Sequence, residues 1–170
     1  RSARGMGIMQ TIMRRSGVTT MSDMGTGIFA DFKTEAGLIK AAFERPDCPG
    51  RIMLMPLATQ LDQVGELDSW LKDTATHFSG PHVRIDRRVK MLADGAFFAL
   101  NMRMNAPGYI DGHHGMWITE PGVLQTQFRR YWDAGFPLPI HVNGDEGLDT
   151  VLAGLEPLVQ RRGQTVTLEH

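Results

Sequence analysis

Two patterns of apolar residues alternate along the chain, one with the spacing of a helix and one with the length of a strand. Segments with helical spacing each end within a few positions of a glycine, serine or proline, and they are residues 6–15, 34–44, 62–78, 119–134 and 145–162. Strand-like runs occupy residues 18–23, 51–58, 82–93, 139–145 and 164–168. This order predicts one helix followed by strand–helix units, and therefore parallel strands joined by crossover helices.

A chain of 170 residues with this alternation is expected to form a single α/β domain over residues 1–170. Its parallel strands are compatible with an open doubly wound sheet or with part of a closed (β/α)8 barrel. In both architectures ligands collect at the carboxyl ends of the strands. In the last helix, Asp145 is expected to be the N-cap and Pro157 to introduce a kink.

Four residues with reactive side chains are predicted at those strand ends: Asp23, Lys90, His141 and His170. Neutral imidazole is a first-choice zinc ligand, and histidines on adjacent parallel strands stand close enough to share an ion. A structural hydrogen-bonding role is the alternative for each histidine. Because the chain ends in Leu-Glu-His, a sequence also found before purification tags, His170 has two possible origins, native or vector-derived.

Lys90 is predicted on a buried strand, where an unpaired ammonium would be costly. One interpretation is a lysine that extends to solvent or pairs with Asp94 or Asp145. The other is a neutral amine that takes up carbon dioxide and becomes a carbamate, an anionic ligand able to bridge two metal ions.

The long stretch 96–118 shows no period, and a loop of this length is typical of a functional or a disordered segment. Its adjacent histidines, His113 and His114, could serve a metal or a substrate, although such pairs are usually solvated. A second candidate motif, Gly25-Thr-Gly-Ile-Phe-Ala30, fits the dinucleotide fingerprint. The second strand, however, ends at residues 55–58 without the acidic residue that this fingerprint requires, so a tight turn is the favoured explanation of the glycines.

Composition and charge narrow the classes of function. The hydrophobic share of 42% and the charged share of 22% are those of a soluble globular protein. A net charge of -1 gives no reason to expect a nucleic-acid or membrane partner, and the single Cys48 excludes an intrachain disulfide. No signal peptide or membrane segment is evident. The compartment is undetermined, with a cytoplasmic location favoured.

Four of these segments together resemble the metal-dependent amidohydrolases, in particular amidohydrolase family 3, which includes N-substituted formamide deformylase-like proteins. They are Gly17-Val-Thr-Thr-Met-Ser-Asp23, Val89-Lys-Met-Leu-Ala-Asp-Gly95, Ile140-His-Val-Asn-Gly-Asp145 and Leu168-Glu-His170. The resemblance implies a (β/α)8 barrel in which these segments are strands two, four, five and six, with residues 51–58 as strand three.

The same resemblance implies a metal site and a reaction. By position, Lys90 would be the bridging carbamate, and His141 and His170 would bind the second metal. The cofactor would be a divalent metal, with zinc favoured, and one or two ions in the full-length parent. A metal-bound hydroxide would then hydrolyse a C–N bond of a small amide, formamide or cyclic amide.

The chain departs from this family in two respects, because it has no His-x-His pair and it ends before strands seven and eight. It also does not begin with methionine. We therefore expect an internal fragment of the barrel that is inactive alone, and exposed sheet edges that allow a homodimer. The alternative function is a non-catalytic α/β module, with a nucleotide bound at residues 25–30.

Overall fold

In the described part of the chain, residues 2–159 and 161–170 of this computed structural model, the strands form two parallel three-stranded sheets. Each sheet lies in its own compact unit, residues 1–87 and residues 88–170. The predicted class, α/β with parallel strands and helices between them, is confirmed. A single domain over residues 1–170 stays a prediction.

The first unit has strand order β1-β2-β3. Its elements are α1 (Ser2–Ser16), β1 (Thr20–Thr26), α2 (Phe32–Phe43), β2 (Arg51–Pro56), α3 (Ala58–Leu61), α4 (Leu67–Phe78) and β3 (Val83–Ile85). The Asp31 carboxylate caps α2 by accepting the N–H of Thr34 at 3.0 Å. Apolar side chains from helices and strands form one buried cluster, which includes Phe32, Phe43 and Leu54.

The second unit has strand order β4-β5-β6. Its elements are β4 (Met91–Leu92), a 3₁₀ turn (Phe97–Ala99), α5 (Pro121–Asp133), β5 (Leu138–His141), α6 (Asp145–Leu155) and β6 (Val166–Glu169). In the parallel register, His141 of β5 lies opposite Leu92 of β4 and Glu169 of β6. The carboxyl ends of β5 and β6 therefore coincide. The stretch 96–118 is irregular, as predicted, apart from the 3₁₀ turn and an isolated bridge between Trp117 and Asp94.

Several predicted elements differ in extent, and the strand expected over residues 139–145 ends at His141. The strand expected over residues 82–93 is two strands, β3 and β4, because the polar sequence Asp86-Arg87-Arg88 interrupts its apolar pattern. The helix expected over residues 62–78 begins only at Leu67, after the short helix α3 and a break at Gly65.

The last helix also differs from its prediction at both ends. Gly144 is the N-cap, and Asp145 is the first helical residue, so its carboxylate does not cap the helix. The helix ends at Leu155, which means that Pro157 follows it instead of kinking it. None of the described helices has the length and apolar character needed to cross a membrane.

Candidate metal centre

Two of the predicted ligands meet at the carboxyl ends of β5 and β6. His141 is the last residue of β5, and His170 directly follows β6. Their rings lie edge to face, with centroids 4.5 Å apart and planes at 73°. Two imidazoles this close can both reach one metal ion.

Lys90 also directs its side chain to this end of the sheet, although it directly precedes β4 and was predicted near its end. Its ammonium forms an ion pair with Glu169 of β6, and only 5% of the Lys90 side chain is exposed. Among the described ion pairs, the partner of Lys90 is therefore Glu169, neither Asp94 nor Asp145. A buried ammonium needs such a partner, because desolvation of an unpaired charge is costly.

The surroundings of His141 favour its neutral form. Burial lowers the pKa of this imidazole, and electrostatic interactions with His170 and Lys90 lower it further. Asp94 acts in the opposite direction, with a smaller effect. Neutral imidazole is the form that binds metal ions, so the electrostatics of the site suit a ligand role.

Asn143, two residues after His141, contacts its ring. The Nδ2 atom of Asn143 lies 3.2 Å from Nε2 of His141 and donates to the carbonyl oxygen of Gly95 at 3.0 Å. The sequence interpretation did not include Asn143, although the two-residue spacing along an extended segment was a usable signal.

The Asp94 carboxylate holds this region together. Asp94 is fully buried, and its two oxygens accept the backbone N–H groups of Asn143, Gly144 and Arg103, each at 2.8 Å. The three backbone donors satisfy the buried carboxylate oxygens with hydrogen bonds. The loop after β5 and the start of the long loop are thereby fixed to the end of β4.

A divalent metal fits part of this donor set. Neutral imidazoles are good zinc ligands, whereas an ammonium paired with Glu169 is not a ligand at all. Within the described residues, no three or more histidine, cysteine, aspartate or glutamate side chains form a group that could hold a metal. Among the described residues, the two imidazoles are therefore an incomplete ligand set for a catalytic metal.

Asp23 lies in the first unit, three residues before the end of β1 and therefore not at the strand end where it was predicted. It is within β1, and its carboxylate accepts a hydrogen bond of 2.9 Å from the Thr26 hydroxyl. Burial raises the pKa of Asp23, and the Thr26 hydrogen bond opposes that shift. The expectation that Asp23 joins the histidines therefore stays a prediction.

The glycine-containing turn after β1 is occupied by a side chain of the protein itself. Glu35 accepts the backbone N–H groups of Gly27, Phe29 and Ala30, each at 2.6 Å. In a dinucleotide site such N–H groups bind phosphate. A phosphate would here have to displace a carboxylate that already satisfies them.

The adjacent histidines of the long loop make their described contacts within that loop. His113 lies between the Asp111 carboxylate, 2.5 Å from Nδ1, and the carbonyl of Leu100, 2.8 Å from Nε2. The Nδ1 atom of His114 lies 2.7 Å from the carbonyl of Met104. These contacts give both residues a structural role in the loop.

The fold of this chain is similar to that of two solved metal-dependent hydrolases. Two crystal structures of uncharacterized metal-dependent hydrolases, from Pyrococcus horikoshii OT3 and Pyrococcus furiosus, have TM-scores of 0.58 and 0.59. Each is 18% identical and covers 86% of this chain, while this chain spans only 28% and 29% of theirs. No family model and no curated protein matches the sequence. The similarity shows a shared fold, and membership of amidohydrolase family 3 stays a prediction.

Proposed function

We propose that the chain is an internal part of a metal-dependent hydrolase, in which Lys90, His141 and His170 contribute to a divalent metal centre. The observation that carries this proposal is the close approach of the His141 and His170 rings at two adjacent strand ends. The fold shared with metal-dependent hydrolases supports it at the level of class. In the parent protein these strands would belong to a (β/α)8 barrel, as about strands two to six.

A divalent ion, with zinc favoured, would supply Lewis acidity and lower the pKa of water. His141 is suited to bind it because its surroundings favour the neutral ring. Lys90 can become a carbamate only as a neutral amine, and in this structure its side-chain nitrogen is bound to Glu169 instead. We therefore propose that loading of the parent enzyme includes release of Lys90 from Glu169.

The substrate class follows from the sequence resemblance. We propose a small molecule with an amide, formamide or cyclic amide, whose C–N bond is hydrolysed. The residues described lack a full ligand set, since they provide two imidazoles and a paired lysine. The 170-residue chain is therefore expected to hydrolyse none of these compounds, even with added zinc. Turnover above the buffer background would contradict this expectation.

Zinc binding tests the site itself. Zinc is titrated into the ¹⁵N-labelled chain while the imidazole resonances are followed. We expect those of His141 and His170 to change together, and the variant His141→Gln to abolish the change at His170. His77→Gln is the matched control, because His77 lies on α4 in the first unit. Unaltered zinc binding in His141→Gln would reject the proposed centre.

A further inference from the structure

The side chain of Asn143 has only one orientation that satisfies its neighbours. Its Nδ2 atom is 3.0 Å from the carbonyl oxygen of Gly95, which can only accept a hydrogen bond. The amide nitrogen, and not the amide oxygen, must therefore face Gly95. The second hydrogen of the same nitrogen is then available to Nε2 of His141, 3.2 Å away.

This orientation determines which nitrogen of His141 carries the proton. An N–H group can donate to Nε2 only if Nε2 has a free lone pair. In the neutral ring the proton must then reside on Nδ1.

The position of Asn143 is fixed as well as its orientation. Its backbone N–H is bound by the Asp94 carboxylate at 2.8 Å, and the N–H of Gly144 is bound by the same carboxylate. Backbone and side chain are therefore anchored to the segment that follows β4. A side chain held at both ends can impose a preference on the ring beside it.

We infer that Asn143 is a positioning residue, which holds His141 as the tautomer with its proton on Nδ1 and a lone pair on Nε2. The inference rests on the proposed function, because the tautomer of a ligand histidine decides which nitrogen a metal can reach. Binding of a cation by the ring must end the hydrogen bond from Asn143, either by displacing the amide from Nε2 or by moving the proton to Nε2.

The tautomer can be measured without any metal. Long-range ¹H–¹⁵N correlation spectra of the metal-free chain, recorded above the pKa of His141, distinguish protonated from unprotonated ring nitrogens. The His141 signals are assigned by their loss in His141→Gln. We expect Nδ1 to be protonated in the native chain. In Asn143→Asp the carboxylate can only accept a hydrogen bond, so Nε2 of His141 should carry the proton. The resonance positions of Nδ1 and Nε2 should then be exchanged.

The controls separate this role from a general effect on folding. Asn105→Ala removes another asparagine of the same unit, whose side chain donates to Asp149 on α6, and it should leave the His141 pattern unchanged. Backbone amide spectra report whether each variant is folded, and the native measurement needs no variant. Protonated Nε2 in the native chain, or an unchanged pattern in folded Asn143→Asp, would refute the inference. A native pattern as expected together with no response to zinc would count against the metal centre alone.

Discussion

Asp94 is fully buried two residues beyond β4, where its carboxylate accepts three backbone N–H groups. Replacement by alanine would leave those donors without their carboxylate partner, at a position that is itself fully buried. Each unsatisfied buried group costs about 1–3 kcal/mol, and partial rearrangement reduces the total. We predict that Asp94→Ala lowers the free energy of unfolding by about 3 kcal/mol, measured by urea denaturation.

Asp149→Ala is the matched comparison for Asp94, because Asp149 also accepts a hydrogen bond but lies in an exposed pair with Asn105. Loss of that exposed contact should change the free energy of unfolding by about 0.5 kcal/mol or less. Similar effects of the two substitutions would mean that the three backbone hydrogen bonds of Asp94 do not organise the loops.

His113 is a residue whose protonation can be predicted from its neighbours. The carbonyl of Leu100 and, next, the carboxylate of Asp111 raise its pKa, since both accept hydrogen bonds from the charged ring. A raised pKa stabilises the loop below the ordinary value of about 6.5, and this contribution is lost as the pH rises through the folded value.

We predict that Asp111→Asn lowers the pKa of His113, as followed by NMR titration of the ring protons. The Leu100 carbonyl remains, so the shift should not disappear completely. Asp133→Asn on α5 serves as the control, because Asp133 pairs with Arg161. An unchanged titration of His113 in Asp111→Asn would show that the pair does not persist in solution.

At the scale of elements, the junction between β1 and α2 depends on one side chain. Glu35, in the first turn of α2, binds three backbone N–H groups of the preceding turn. We predict that Glu35→Ala lowers the free energy of unfolding by about 1–2 kcal/mol, as loss of a helix cap does. Glu35→Gln, which keeps one acceptor oxygen, should lose less.

Glu66→Ala is the control for this junction, since Glu66 precedes α4 without a side-chain capping hydrogen bond. It should leave the unfolding midpoint in urea almost unchanged. If Glu35→Ala also unfolds at the native midpoint, water satisfies the N–H groups of the turn as well as the Glu35 carboxylate does. The turn would then be more open to an anion than the hydrogen bonds of Glu35 indicate.

The elements also show why sequence reasoning succeeded in some places and failed in others. The run at 51–58 was recognised because both faces of β2 are largely apolar, and the pairing of His141 with His170 followed from parallel strand register. The split into β3 and β4 was missed because a polar interruption of three residues resembles the alternation of a single strand.

Contacts between particular side chains were harder to predict from the sequence. Glu169 directly precedes His170 in the sequence. Its ion pair with Lys90, however, depends on how far the lysine side chain extends across two strand positions. Asn143 was recognisable as a neighbour of His141, yet its orientation is fixed by the carbonyl of Gly95, which no sequence pattern indicates. Strand register is encoded in apolar periodicity, whereas such polar pairs depend on the packed structure.

At the scale of the whole molecule, β1 is an edge strand of the first sheet, with β2 as its described neighbour. An edge strand presents unpaired N–H and carbonyl groups that can pair with another chain. We propose that two copies associate through β1 in an antiparallel arrangement about a twofold axis. The 170-residue chain should then have the mass of a homodimer in light scattering.

A charged side chain at this edge should prevent the association. We predict that Ser22→Lys within β1 yields a monomer, because symmetry brings two like charges together and each loses water. Thr11→Lys, on an exposed position of α1, adds the same charge away from the edge and should remain dimeric. A native chain with monomer mass at all concentrations, or a Ser22→Lys variant that stays dimeric, would exclude β1 as the interface.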